Sequence, residues 1–223
     1  MEELVFRIVS YMIPLVLSLT VHEYAHAKVA FLLGDDTAAR MGRMTLNPIA
    51  HIDFVGTILI PVIAAISGGV PLIGWAKPVP VMPVRYTRRL SMRTGDILVS
   101  IAGPLSNILL SLLSLIALKI IFSPDTLGEC FEHLKHGNPG GLVKYLLATM
   151  VIMNAGLGIF NLIPIPPLDG SHLLPRSMQP FLEKIMPFSY IILLGVVYFL
   201  SGILIIPVKI LLKLLGLLTG IQV

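Results

Sequence analysis

The sequence predicts an all-α polytopic membrane protein, and three observations carry that prediction. Of the 223 residues, 56% are hydrophobic and only 13% are charged, where a soluble domain carries about 25% charge. The mean hydropathy is +0.91. Apolar runs long enough to cross about 30 Å of hydrocarbon recur along the chain, separated by short polar stretches.

The same composition excludes several classes. A single cysteine, Cys130, rules out an internal disulfide and a multi-cysteine zinc site. The net charge is +4, but the positive residues cluster as membrane topology requires, and no basic helix lies outside the apolar runs, so no nucleic-acid partner is expected. There is no repeat and no low-complexity tail, so one membrane domain, 1–223, is expected. The N-terminus has an apolar core and an A-x-A end at Ala25 to Ala27. It opens on Glu2 and Glu3 rather than on basic residues, and cleavage there would cut into the motif described next, so it is read as retained.

Residues 5–33 form the first predicted span, closed by Gly34, Asp35 and Asp36. Within it lies HEYAH, with His22, Glu23 and His26 in the order H-E-x-x-H. Residues four apart share one helix face, so both imidazoles can grip one metal ion. H-E-x-x-H on a helix is a zinc-protease pattern in which the Glu is the general base. Ionisable groups are costly in hydrocarbon and mark function there. Residues 54–73 are apolar but interrupted by Pro61, Gly68, Gly69 and Pro71. They either span once or dip in and return, and the re-entrant reading is preferred. The Val/Pro alternation that follows predicts a short strand-like region at 76–86.

Residues 95–122 are the next span and contain AGPLSN (Ala102 to Asn107). Residues 124–140 are a polar loop. Residues 141–163 span again and run into NLIPIPPLDG (Asn161 to Gly170). The apolar run 187–219 is too long for one straight span, about 50 Å. One or two C-terminal helices are expected, with a break at Pro207 and the piece bearing Lys209 and Lys213 at the interface. Lys77, Arg85, Arg88, Arg89 and Arg93 place the 74–96 stretch in the cytoplasm, and with it the 164–186 loop.

A catalytic zinc takes three protein ligands and keeps one open position. The third ligand must come from Asp53, Asp96, Asp169, His51, His133, His136 or His172. Asp169 stands out because Pro164, Pro166 and Pro167 break the preceding helix, and Gly170 permits a further bend. Its alternative role is to cap a following helix. His51, in NPIAHID, either approaches the metal or is merely hydrated. The VPVMPV stretch either offers an edge to an unwound substrate or forms a membrane-associated hairpin.

HEYAH, AGPLSN and NLIPIPPLDG, in this order and spacing, resemble the site-2 protease family of intramembrane zinc metalloproteases, over about residues 10–175. The resemblance implies one Zn2+ per chain held by His22, His26 and Asp169, with Glu23 catalytic. It also implies polar contacts to substrate or oxyanion from Asn107, Asn154 and Asn161, for which interhelical hydrogen bonding is the alternative. The implied substrate is a transmembrane segment of another protein, cut within the bilayer. The orientation set by the basic residues puts access to the site on the cytoplasmic side, and a prokaryotic cell membrane is expected. The chain departs from parts of the family in lacking a PDZ-like insertion and a nucleotide-sensing domain, and in its long HEYAH–AGPLSN connection. Two other classes fit intramembrane His, Glu and Asp: a metal-ion or proton transporter, and a non-catalytic homologue that binds membrane proteins.

Overall fold

The computed structural model describes residues 2–66, 74–87, 89–132 and 139–223. Long helices dominate. Helix α1 (Glu2–Leu32) passes through Pro14 and ends at Gly34, whose φ of 107° is open to a residue without a Cβ. A Cβ there would also lie 3.2 Å from the Arg85 carbonyl oxygen, so the glycine serves both the turn and a close chain crossing. Short α2 (Thr37–Arg40) follows, then a π-helical turn, Phe54–Leu59, that continues into α3 (Ile60–Ile66).

Helix α4 (Met92–Phe122) starts where the Ser91 hydroxyl accepts from the Thr94 N–H. It runs through Pro104 and ends at Ser123 in the left-handed region. After α5 (Glu129–Glu132) come α6 (Pro139–Asn161), a 3-10 turn at Asp169–Leu173, α7 (Gln179–Ile185) and α8 (Ser189–Thr219). Among the described residues, five helical stretches are long and apolar enough to cross a membrane, and the chain is a multi-pass integral membrane protein.

Helix α4 is the centre of the bundle and packs against α1, α6 and α8. Its buried face is rich in small residues (Ser100, Gly103, Ser111 and Ser114), which let backbones approach where lipid offers no hydrophobic drive. Ser111 donates across the α4–α6 contact to the Val151 carbonyl at 2.7 Å. At one end Leu115, Leu118, Val151, Leu212 and Leu215 form a continuous core with Leu127 and Cys130. At the other end Ala30, Tyr86 and Val99 pack together with Val81. The outward faces carry exposed Leu98, Leu105, Leu109, Leu113, Ile191 and Leu194, as lipid-facing surfaces do.

Two expectations need adjustment. The region 76–86 is extended, but no strand forms among the described residues, and Pro83–Arg85 is a 3-10 turn. Prolines at 78, 80 and 83 remove the N–H groups a ladder would need. Pro207 does not break α8, which is continuous through it. Beyond Pro207, Val208, Leu211, Leu212 and Leu215 pack into the core.

After residues 54–66 the chain is back beside its starting point at Trp75, as the re-entrant reading expects. Residues 54–66 are helical, about 20 Å of rise, against about 30 Å of hydrocarbon. Trp75 N–H then donates to the Gly56 carbonyl at 3.3 Å, and the Trp75 carbonyl accepts from the Thr57 hydroxyl at 2.7 Å. Residues 67–73 lie outside the described residues.

Candidate metal centre

His22 and His26 stand one turn apart on α1, and both are buried. Their Nε2 atoms are 3.0 Å apart. Asp169 Oδ2 lies 3.2 Å from the first and 3.3 Å from the second. The helix spacing aims the two rings, and the proline-broken chain after α6 brings the carboxylate back to them. Asp169 is the first residue of its 3-10 turn, whose N-cap position is Leu168, and α7 has Met178 in its N-cap position, so Asp169 is not the cap of a following helix.

The far side of each ring fixes its tautomer. His26 Nδ1 lies 2.7 Å from the Val99 carbonyl oxygen, which can only accept, so Nδ1 carries the proton. His22 Nδ1 lies 2.6 Å from Asn107 Oδ1. Asn107 cannot be flipped, because its Nδ2 donates to the Ser18 carbonyl at 3.3 Å and to Asn154 Oδ1 at 2.8 Å. Asn154 Nδ2 in turn donates to Ser18 Oγ and to the Met150 carbonyl. As neutral imidazoles, both rings therefore present Nε2 lone pairs to the same point as the carboxylate.

Three electron-pair donors face one another inside the bundle, and Asp169 Oδ2 is buried without a hydrogen-bond donor. With both imidazoles neutral and no cation or proton between them, that arrangement is repulsive. With a metal cation it is a two-nitrogen, one-oxygen ligand set of the zinc type, supported by Nδ1 partners as metal-binding histidines are. Among the described residues these three are the group able to hold a metal ion.

Helix α4 reaches the rings because position 103 is glycine. A Cβ there would sit 2.2 Å from His26 Nε2 and 2.6 Å from His22 Cε1. The same helix holds the Asp169 turn. Asp96 pairs with His172 Nδ1 at 3.0 Å, and Arg93 donates to the Leu173 carbonyl at 3.1 Å and to the Leu174 carbonyl. The hydrogen bond to Asp96 raises the His172 pKa above 6.5 against a smaller opposing effect of burial.

Glu23 is buried next to His22, and its Oε2 accepts from the Val79 N–H at 2.7 Å. The extended segment 74–82 therefore lies against the site. Its outer anchors are Lys77 N–H to the His51 carbonyl at 2.9 Å, Arg43 to the Lys77 and Pro78 carbonyls, and Met82 N–H to Asp35 Oδ2 at 2.6 Å.

The other candidates fall elsewhere. Asp53 accepts from the Val55 and Gly56 N–H groups and caps the π-helical turn. Asp96 is held by His172. His51 is buried and bonds to the Thr45 carbonyl through Nε2 at 2.8 Å. His133 and His136 lie outside the described residues. Asn107 and Asn154 are both 0% exposed. Their bonds run between helices, apart from the Asn154 bond to the Met150 carbonyl of its own helix, which matches the interhelical alternative. Asn161 donates to the Leu157 carbonyl of its own helix at 3.0 Å. Sequence reading passed over Ser18, Gly103 and the Val79 N–H. Ser18 had a signal, because it precedes His22 by four residues on the same helix face.

Residues 10–204 match the family model described as peptidase family M50. A Bacillus subtilis protein with the name "Putative zinc metalloprotease YwhC" is 39% identical over 168 residues, covering 75% of this chain and 68% of the relative. Rip2 of Mycobacterium tuberculosis, similarly named, is 29% identical over 167 residues, covering 75% of this chain and 56% of its own length. "Protease RseP" of Photorhabdus luminescens is 40% identical over 68 residues, covering 28% of this chain and 30% of the relative. The chain thus spans little more than half of Rip2 and about two thirds of YwhC. No solved structure matches.

Proposed function

The chain belongs to peptidase family M50, the site-2 protease family, and from that premise we propose that it is an intramembrane zinc endopeptidase. Its substrates would be membrane proteins cut within or near a transmembrane segment. The observation that carries this reading is the convergence of His22 Nε2, His26 Nε2 and Asp169 Oδ2 inside the bundle, with Glu23 beside them.

In this reading His22, His26 and Asp169 hold one Zn2+ per chain. When bound, zinc supplies polarisation of the scissile carbonyl and acidification of the attacking water toward neutral pH. Asn107 and the Val99 carbonyl keep both imidazoles in the tautomer that leaves Nε2 free. Glu23 accepts the proton of the attacking water and delivers it to the leaving amine. A transmembrane helix hides its peptide bonds in its own hydrogen-bond ladder. Local unwinding must therefore precede attack, and helix-weakening residues in the substrate should favour cleavage.

The site lies toward the end of the bundle that carries Arg93, the 74–82 segment and the Asp169 turn. His26 stands about 9 Å from the end of α1. The basic residues at that end argue for the cytoplasmic face and for water entry from there.

The test is cleavage of a transmembrane substrate by purified protein in detergent or vesicles. Parental protein should cut, and Glu23→Gln should lose cleavage while keeping zinc. A Glu23→Gln variant that cuts at the parental rate would sink the mechanism. Metal movement across vesicles without cleavage would favour a transporter.

A further inference from the structure

Three prolines, at 78, 80 and 83, strip the 77–83 segment of backbone donors. Val79 is left as a lone N–H between two prolines, and that N–H meets Glu23 Oε2 at 2.7 Å. Three residues on, the Met82 N–H meets Asp35 Oδ2 at 2.6 Å. Two carboxylates, one on α1 and one just past its end, thus grip this segment by its sparse donors. The segment is also held independently by the His51 carbonyl and by Arg43.

We propose that the Val79 backbone N–H is the positioning group for the general base, aiming the Glu23 carboxylate at the attacking water. The proposal rests on the protease reading above. The geometry suits this role in two ways. The bond takes one carboxylate oxygen and leaves Oε1 outside it for proton transfer. The donor is also fixed from outside, because Lys77 N–H and the Lys77 and Pro78 carbonyls tie the segment to the 43–51 loop. A carboxylate on a three-bond side chain has rotamer freedom to lose, and a charge-assisted bond from a rigid amide removes it before substrate arrives.

Replacing Val79 by its α-hydroxy acid exchanges the N–H for an ester oxygen and keeps the side chain. Val79→Pro removes the same donor by a different route. The same ester at Val84, which is 76% exposed, is the control. Both Val79 changes should lower kcat about tenfold or more, with KM and bound zinc unchanged, and the Val84 ester should match the parent. A second readout needs no metal. In zinc-free protein, Glu23→Ala should speed hydrogen exchange of the Val79 amide about tenfold or more, leaving the Met82 amide unchanged. Parental or higher kcat in the Val79 ester, or exchange at Val79 indifferent to Glu23→Ala, overturns the proposal. If the parental chain cuts no transmembrane substrate, the protease reading itself falls and takes this role with it. Cleavage by the parent with unaffected Val79 variants removes this role alone.

Discussion

His22 Nδ1 and Asn107 Oδ1 lie 2.6 Å apart across the α1–α4 contact, although 85 positions separate them in the chain. The bond fixes which nitrogen of His22 is left for the metal. Asn107→Ala should therefore weaken zinc binding about 10- to 100-fold, the usual cost of losing a histidine's outer partner. Competitive titration with a zinc chelator measures this. Unchanged affinity would show that the ring orients itself.

Asp169 has no other hydrogen-bonding duty on its Oδ2. Asp169→Asn should therefore abolish stoichiometric zinc and cleavage, yet leave the purified protein folded by far-ultraviolet circular dichroism. Metal analysis of that variant decides the point. Full zinc content would mean that the third ligand lies elsewhere.

Gly103 is the close-approach point of α4 on the histidine rings. Gly103→Ala forces the helix or the rings to move, at a cost of about 1–3 kcal/mol for overpacking. Loss of zinc should exceed loss of thermal stability, because the displaced atoms belong to the ligands. Gly156→Ala, where a Cβ meets nothing within 4 Å, is the matched control.

His172, in the loop between spans, pairs with Asp96 in the first turns of α4 and gives the site a pH dependence. The His172 pKa is raised above 6.5 by its bond to Asp96. Stability from the pair is thus fully present below pH 6.5 and is lost as pH rises through the higher folded-state value. Parental protein should resist proteolysis around 169–174 better at pH 6 than at alkaline pH. His172→Gln should flatten that difference. A variant with the parental pH profile would detach the pair from the effect.

Met44 and Leu90 flank the excursion that leaves at Gly56 and returns at Trp75. Cysteines at both positions should label from the same face of sealed vesicles. Native Cys130 is buried and free and should contribute little background. Labelling from opposite faces would mean that 54–73 crosses the membrane.

The parts legible in the sequence were those written in local spacing. The His22–His26 interval, the apolar runs and the proline break before Asp169 each report on neighbouring residues alone. The partners of these groups were not legible, because they depend on how helices cross. Nothing near Asn107 says that it will face His22 rather than substrate, and nothing near Glu23 names Val79. Pro207 misled for a related reason. A proline removes one helix bond, but the packing of Val208, Leu211 and Leu212 against α4 and α6 carries α8 through it.

The ligands of the metal centre are far apart in order of synthesis. His22 and His26 are made early, and Asp169 comes 147 positions after His22. Asn107 and Asn154, which orient the first ring, also come late. During translation, α1 therefore enters the membrane with two unaimed imidazoles and no third ligand. The nascent chain has no completed centre until α4 and α6 are inserted and the turn behind them has closed. The metal centre is in this way among the last parts of the fold to be completed.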